Sequence, residues 1–174
     1  GRTEGRIFDS YAHVNGNIEA HHTAGGLAGV SLGVITDSYA NVLGNISVGK
    51  SWGGSSTAGG IVGVAYGAIS NAHATISGSI LASGDYAGGI AGQANDSITN
   101  SYALINGVIT GENYIGGIAG ESAGIQNSYT QISGDIFGLS YVGGLTGKNH
   151  NGINNSSAIV LGSIAGQDFT AGLV

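Results

Sequence analysis

Residues 88–109 read GGIAGQANDSITNSYALINGVI, and the reading of this stretch decides the fold. Its opening block, Gly-Gly-apolar-x-Gly, recurs at residues 25–29, 59–63, 116–120 and 143–147, and a degenerate copy begins at Ala171. Successive starts lie 34, 29, 28, 27 and 28 residues apart. A fixed period of this size marks a repeat architecture, in which each copy buries its apolar face against its neighbours.

The second part of the stretch is Ile-x-Asn/Asp-Ser-Tyr-Ala, seen at Ile98, Asn100, Ser101, Tyr102 and Ala103. Aligned copies place Ile7, Ile35, Ile69, Ile98, Ile125 and Ile153 in one column. Asp9, Asp37, Asn71, Asn100, Asn127 and Asn155 form the next, and Tyr11, Tyr39, His73, Tyr102, Tyr129 and Ser157 a third. The third part alternates: Ala103, Ile105, Gly107 and Ile109 in one copy, Ala74, Ile76, Gly78 and Ile80 in another, with mostly polar residues between. A period of two over seven residues predicts a β-strand with one buried face. No stretch spaces its apolar residues at 3.6, so no helix is expected.

Stacked copies form parallel ladders about 4.8 Å apart. The expected fold is therefore all-β, a parallel β-solenoid of about six repeats, with the strand number per turn left open. It forms a single domain over residues 1–174, with repeats at 7–24 (partial), 25–58, 59–87, 88–115, 116–142, 143–170 and 171–174 (partial). The second carries an insertion at 48–57. Glycine is expected to narrow the core and to supply positive φ at corners. The Asp/Asn column is expected at a corner, hydrogen-bonding along the stack. A further column before each anchor holds Tyr86, Tyr114, Tyr141 and Phe169, with Thr23 and Thr57 in the earlier copies; it and the Tyr11–Tyr129 column predict stacked structural ladders.

These motifs, Gly-Gly-Ile-Ala-Gly followed by Ile-x-Asn-Ser-Tyr-Ala and an apolar-x-Gly strand, resemble the GLUG repeat. The similarity runs from Ile7 to Val174, with Leu27-Ala28 and Ile90-Ala91 where Leu-Val is commoner in the family. The resemblance implies a surface stalk or fibre. GLUG repeats occur in bacterial surface proteins, in filamentous-haemagglutinin-like adhesins, and outside the catalytic domain of some IgA-cleaving metallopeptidases.

Composition narrows the function classes. The chain holds 35 glycines, no proline, cysteine or methionine, and only 8% charged residues. A net charge of −6 with four scattered basic residues, Arg2, Arg6, Lys50 and Lys148, argues against nucleic acid. No window is long and apolar enough for a membrane span. Without cysteine there is neither a disulfide framework nor a thiolate metal site.

No catalytic constellation emerges, so the chain is not expected to be an enzyme, and no cofactor is expected. His-Glu-x-x-His and Gly-x-Ser-x-Gly are absent. The adjacent His21 and His22 would need further ligands such as Asp85 or Glu112 to hold zinc, and solvated corner residues are the simpler reading. Ligand or partner binding is expected, if anywhere, at the insertion: Trp52 and Lys50 lie in it, and His21 and His22 lie at the neighbouring corner.

The expected function is a structural and adhesive rod, a repeat segment of a bacterial surface protein or fibre, extracellular or on the cell surface. Its partners would be other domains of the same polypeptide or identical subunits at the solenoid ends, and a host-surface glycan or protein at its side. The alternative is a filament subunit stacking end to end through uncapped edges, since the chain opens and closes inside a repeat. Ice binding, phage receptor binding and polysaccharide cleavage fit less well, because no Thr-x-Thr array or converging acids are visible.

Overall fold

The computed structural model describes residues 1–50 and 55–174, which form a parallel β-solenoid with no helix. Its strands make five six-stranded parallel sheets. In the turn that carries the quoted stretch, the strands are Tyr86–Gly88, Ala91–Ala94, Ile98–Thr99, Tyr102–Ile105 and Ile109–Thr110. We name the sheets they belong to the pre-anchor, anchor, isoleucine, tyrosine and distal sheets. The isoleucine and tyrosine columns aligned from the sequence are Cα partners in successive turns.

The seven-residue alternation is not one strand. It divides into two, as in His73–Ile76 and Ile80–Ala82, with a bend between them. Ile76 and Ile80 both stay fully buried, so the period of two survives a corner that it does not reveal. The core consists of such columns: Ile35, Ile69, Ile98 and Ile125 on one side, Ile46, Ile80, Ile109 and Ile136 on another, and Ile61, Ile90, Ile118 and Leu145 behind the anchors. Burying each isoleucine side chain contributes about 1.5–3 kcal/mol.

Glycine acts through close approach more than through handedness. Among the described glycines only Gly152 has a positive φ, 105°. The left-handed corner belongs instead to Asp9, Asp37, Asn71, Asn100, Asn127 and Asn155, with φ between 45° and 50°. Asn and Asp tolerate this region because their short polar side chains hydrogen-bond locally. The anchor glycines meet a different demand. A Cβ on Gly89 would overlap the Gly117 carbonyl oxygen of the next turn and the Ala103 Cβ across the core.

Serine closes the polar account next to the left-handed corner. Ser101 Oγ donates to the Thr99 carbonyl at 2.8 Å and accepts the Ala72 N–H at 3.1 Å. Ser128 Oγ repeats the pattern, donating to the Gln126 carbonyl and accepting the Ser101 N–H. Each buried hydroxyl thus satisfies one backbone group in its own turn and one in the turn before.

The insertion leaves the register intact. Val48 and Thr57, its outer residues, are strand residues paired with Ala20 and Thr23. Ser56 Oγ donates to the Gly49 carbonyl at 2.7 Å, and the Thr57 N–H reaches the His22 carbonyl at 2.9 Å.

Candidate binding corner and lateral ladders

Strands Ile18–Ala20, Ile46–Val48 and Ile80–Ala82 of the distal sheet end at one corner of the solenoid. His21 and His22 follow the first and Lys50 follows the second, so three of the four residues singled out for binding occupy this corner, all exposed. Trp52 falls within residues 51–54, outside the described residues. A groove of about 440 Å³ crosses three turns here, lined by Glu19, His21, Ser47 and Ser83 around Ala20, Val48 and Leu81. A carboxylate, an imidazole and two hydroxyls set about an apolar floor suit a small polar ligand with one apolar face.

The acids considered as partners for the histidines are engaged otherwise. Lys50 Nζ donates to Glu112 Oε1 at 3.0 Å, and the Asn113 amide donates to Asp85. Among the described residues, no three His, Asp or Glu side chains gather as a metal site would require.

The Asp/Asn column forms hydrogen bonds along the axis: Asn71 Nδ2 to Asp37 Oδ1 and Asn155 Nδ2 to Asn127 Oδ1, both at 2.8 Å. Beside it, the rings of Tyr11, Tyr39, His73, Tyr102 and Tyr129 stack with centroids 5.3, 5.0, 4.9 and 5.1 Å apart and planes within 11° of parallel. Parallel register imposes this spacing, because each ring sits one strand separation from the next. Neighbouring rungs cover each other's faces and leave mainly edges to solvent. Burial between Tyr39 and Tyr102 lowers the pKa of His73, and burial together with the Tyr129 phenol raises that of Tyr102.

The pre-anchor rings of Tyr86, Tyr114, Tyr141 and Phe169 stack in the same way, at 5.0, 5.1 and 4.8 Å. The last two steps open to 18° and 22°, and both involve Tyr141, whose φ of 52° is strained for an aromatic residue. This ladder covers a polar column absent from the sequence reading. Gln93, Glu121 and Lys148 are Cα partners on the outer face of the anchor sheet. Glu121 accepts from Gln93 Nε2 at 3.1 Å and lies 2.8 Å from His150 Nε2 and 3.4 Å from Lys148 Nζ. Lys148 also rests 5.5 Å from the Tyr114 ring centre.

The charge of Glu121 is held by these neighbours. Burial raises its pKa, and the hydrogen bonds from His150, Gln93 and Lys148 outweigh that, leaving it below the usual carboxylate value. Tyr86 moves the other way. Burial first, then the nearby charge of Glu121, pushes its phenol up to about 12. A signal for this cluster lay in the sequence: the residue directly after each Gly-Gly-apolar-x-Gly block is Gln93, Glu121 and Lys148 in consecutive copies. No family model, curated protein or solved structure matches this chain.

Proposed function

We propose that the chain is a structural rod with an adhesive side, a repeat segment of a bacterial surface protein or fibre. The observation that carries this reading is the unbroken register of all five sheets through six strands each. Every turn is tied to the next by backbone bonds, by isoleucine columns and by side-chain ladders, which suits a rigid spacer. The lateral corner at His21, His22 and Lys50 supplies the side at which a host-surface glycan or protein is held. The resemblance to GLUG repeats supports the same reading, and with it a place outside the cell.

The test is retention under flow. Beads coated with the whole chain are allowed to settle on cultured epithelial cells and are then sheared. Retention above that of uncoated beads, lowered by His21→Ala with Lys50→Ala, supports an adhesive side. Retention equal to uncoated beads removes the adhesive half of the proposal.

A further inference from the structure

Tyr11 and Tyr39 occupy consecutive rungs of the tyrosine sheet and are Cα partners. Their ring centres lie 5.3 Å apart, the widest step of that ladder. They are also open, with 69% of Tyr11 and 40% of Tyr39 exposed. No hydrogen bond among the described residues holds either phenol oxygen. The chain contains no cysteine or methionine to consume an oxidant first, and only one tryptophan. We propose that Tyr11 and Tyr39 form a site of oxidative phenol coupling, at which a haem peroxidase using hydrogen peroxide joins the two rings as an intramolecular dityrosine.

The chemistry balances with peroxide as the sole oxidant. Each phenol gives up one electron and one proton, leaving a phenoxyl radical with spin density on the ring carbons beside the oxygen. The two radicals combine through a new Cε–Cε bond. The hydrogen on each bonded carbon then moves to oxygen and restores both aromatic rings. The pair loses two hydrogen atoms in all, and one peroxide becomes two waters.

Stacked rings must turn from face-to-face to edge-to-edge before that bond can close. Exposure leaves Tyr11 and Tyr39 room to do so, and their register holds the radicals together at a high effective concentration. The other candidate pairs are restrained. His73 separates Tyr39 from Tyr102 and forms no phenoxyl radical. Tyr102 is half-buried beneath Tyr129, and burial opposes loss of its proton. In the second ladder, burial and the nearby charge of Glu121 oppose loss of the Tyr86 proton, and Tyr114 lies under Lys148. The product is a covalent tie between consecutive turns, which restricts the unfolded chain in the way that other cross-links do.

The experiment treats the whole chain with a haem peroxidase and one equivalent of hydrogen peroxide. Denaturation and cleavage after acidic residues, at Asp9, Glu19 and Asp37, then place Tyr11 and Tyr39 on separate peptides. The expected product migrates as a monomer, shows dityrosine fluorescence, lacks two hydrogen atoms and joins those two peptides. Tyr39→Phe keeps a ring in the stack and the far-ultraviolet circular dichroism of the parent, yet loses most of the fluorescence. Tyr129→Phe retains it. The proposal is overturned by cross-links that map to Tyr102 with Tyr129, among Tyr86, Tyr114 and Tyr141, or from Tyr39 to His73. Cross-linked dimers alone, or no dityrosine, overturn it equally.

Discussion

The two aromatic ladders share a spacing and differ in what surrounds them. Both stack at about one strand separation, because parallel register leaves no other distance open. The ladder from Tyr11 to Tyr129 stands over the Ala-x-Ile side of the core with its edges in solvent. The ladder from Tyr86 to Phe169 leans on the Gln93, Glu121 and Lys148 column, and its first phenol feels the charge of Glu121 in that column. One geometry thus serves two environments. Stacking is a consequence of the fold, and the distinct properties of each ladder come from its neighbours.

The largest change is expected where the fold itself sets the spacing of both ladders. Gly89 follows the pre-anchor strand and faces Ala103, the residue after Tyr102, across the core. In Gly89→Ala the new methyl meets backbone on one side and a buried alanine on the other, and neither can yield. Overpacking of this kind costs about 3 kcal/mol. Urea unfolding should show the extrapolated free energy of unfolding fall by that amount, and both tyrosine environments should loosen together in the near-ultraviolet. Gly124→Ala is the control, since its nearest contact would be 3.6 Å from the Gly152 carbonyl oxygen. Its effect should stay within about 0.5 kcal/mol. Loss of one ladder's signal without the other in Gly89→Ala would show that the two are not set by a common frame.

How much of this frame was legible depended on the kind of contact involved. The isoleucine, asparagine and tyrosine columns could be aligned because each side chain repeats once per turn and parallel register carries it straight along the axis. The five strands per turn could not, since Ile76 and Ile80 point inward on either side of a bend and keep the alternation that a straight strand would show. The glycines of the alternation, Gly78, Gly107 and Gly134, were read as inward but lie half-buried at the bend against the turn before, while anchor glycines such as Gly89 meet the core. The left-handed corners expected of glycine are held by Asp and Asn. The Glu121 cluster went unread because its members share a column but not a residue type. Only register turns Gln, Glu and Lys at equivalent positions into one hydrogen-bonded group.

A smaller effect separates the ladders. Glu121→Gln leaves Lys148 and His150 without a carboxylate and should cost about 1 kcal/mol at neutral pH. The pH profile identifies the cause. Glu121 titrates below its ordinary value of 4.5 in the folded chain, so its contribution is present above that pH and is lost as the pH falls through the lowered value. Tyr86 is raised from 10.0 to about 12, so its contribution is present below pH 10.0 and is lost as the pH climbs toward 12. In Glu121→Gln the acid loss should disappear. The alkaline loss should shrink without vanishing, because burial is the larger cause for Tyr86 and survives the substitution. The raised pKa of Tyr102 should not move, since burial and Tyr129 set it. A common shift of both phenols in a spectrophotometric titration would mean that the ladders are electrostatically coupled through the core.

The smallest effect probes the one rung that is not a phenol. His73 lies between Tyr39 and Tyr102 at 5.0 and 4.9 Å, and burial there lowers its pKa from 6.5. A lowered value means that the unfolded chain binds the proton more readily, so stability should fall as the pH drops through 6.5. A second force acts in the opposite sense, because an imidazolium between two aromatic faces gains a cation–π attraction. The rings stack plane to plane, within 7° and 9° of parallel, and a protonated imidazole in that slot would give up water on both faces. Desolvation should therefore win. His73→Tyr would make the ladder continuous, remove the acid-side loss, and add about 0.5–1 kcal/mol from ring stacking at neutral pH. The decisive reading is the imidazole proton shift of His73 followed by NMR across the titration. A midpoint below 6.5 confirms that the ladder behaves as a desolvated stack, whereas a midpoint above it would show the neighbouring phenols acting as a cation site.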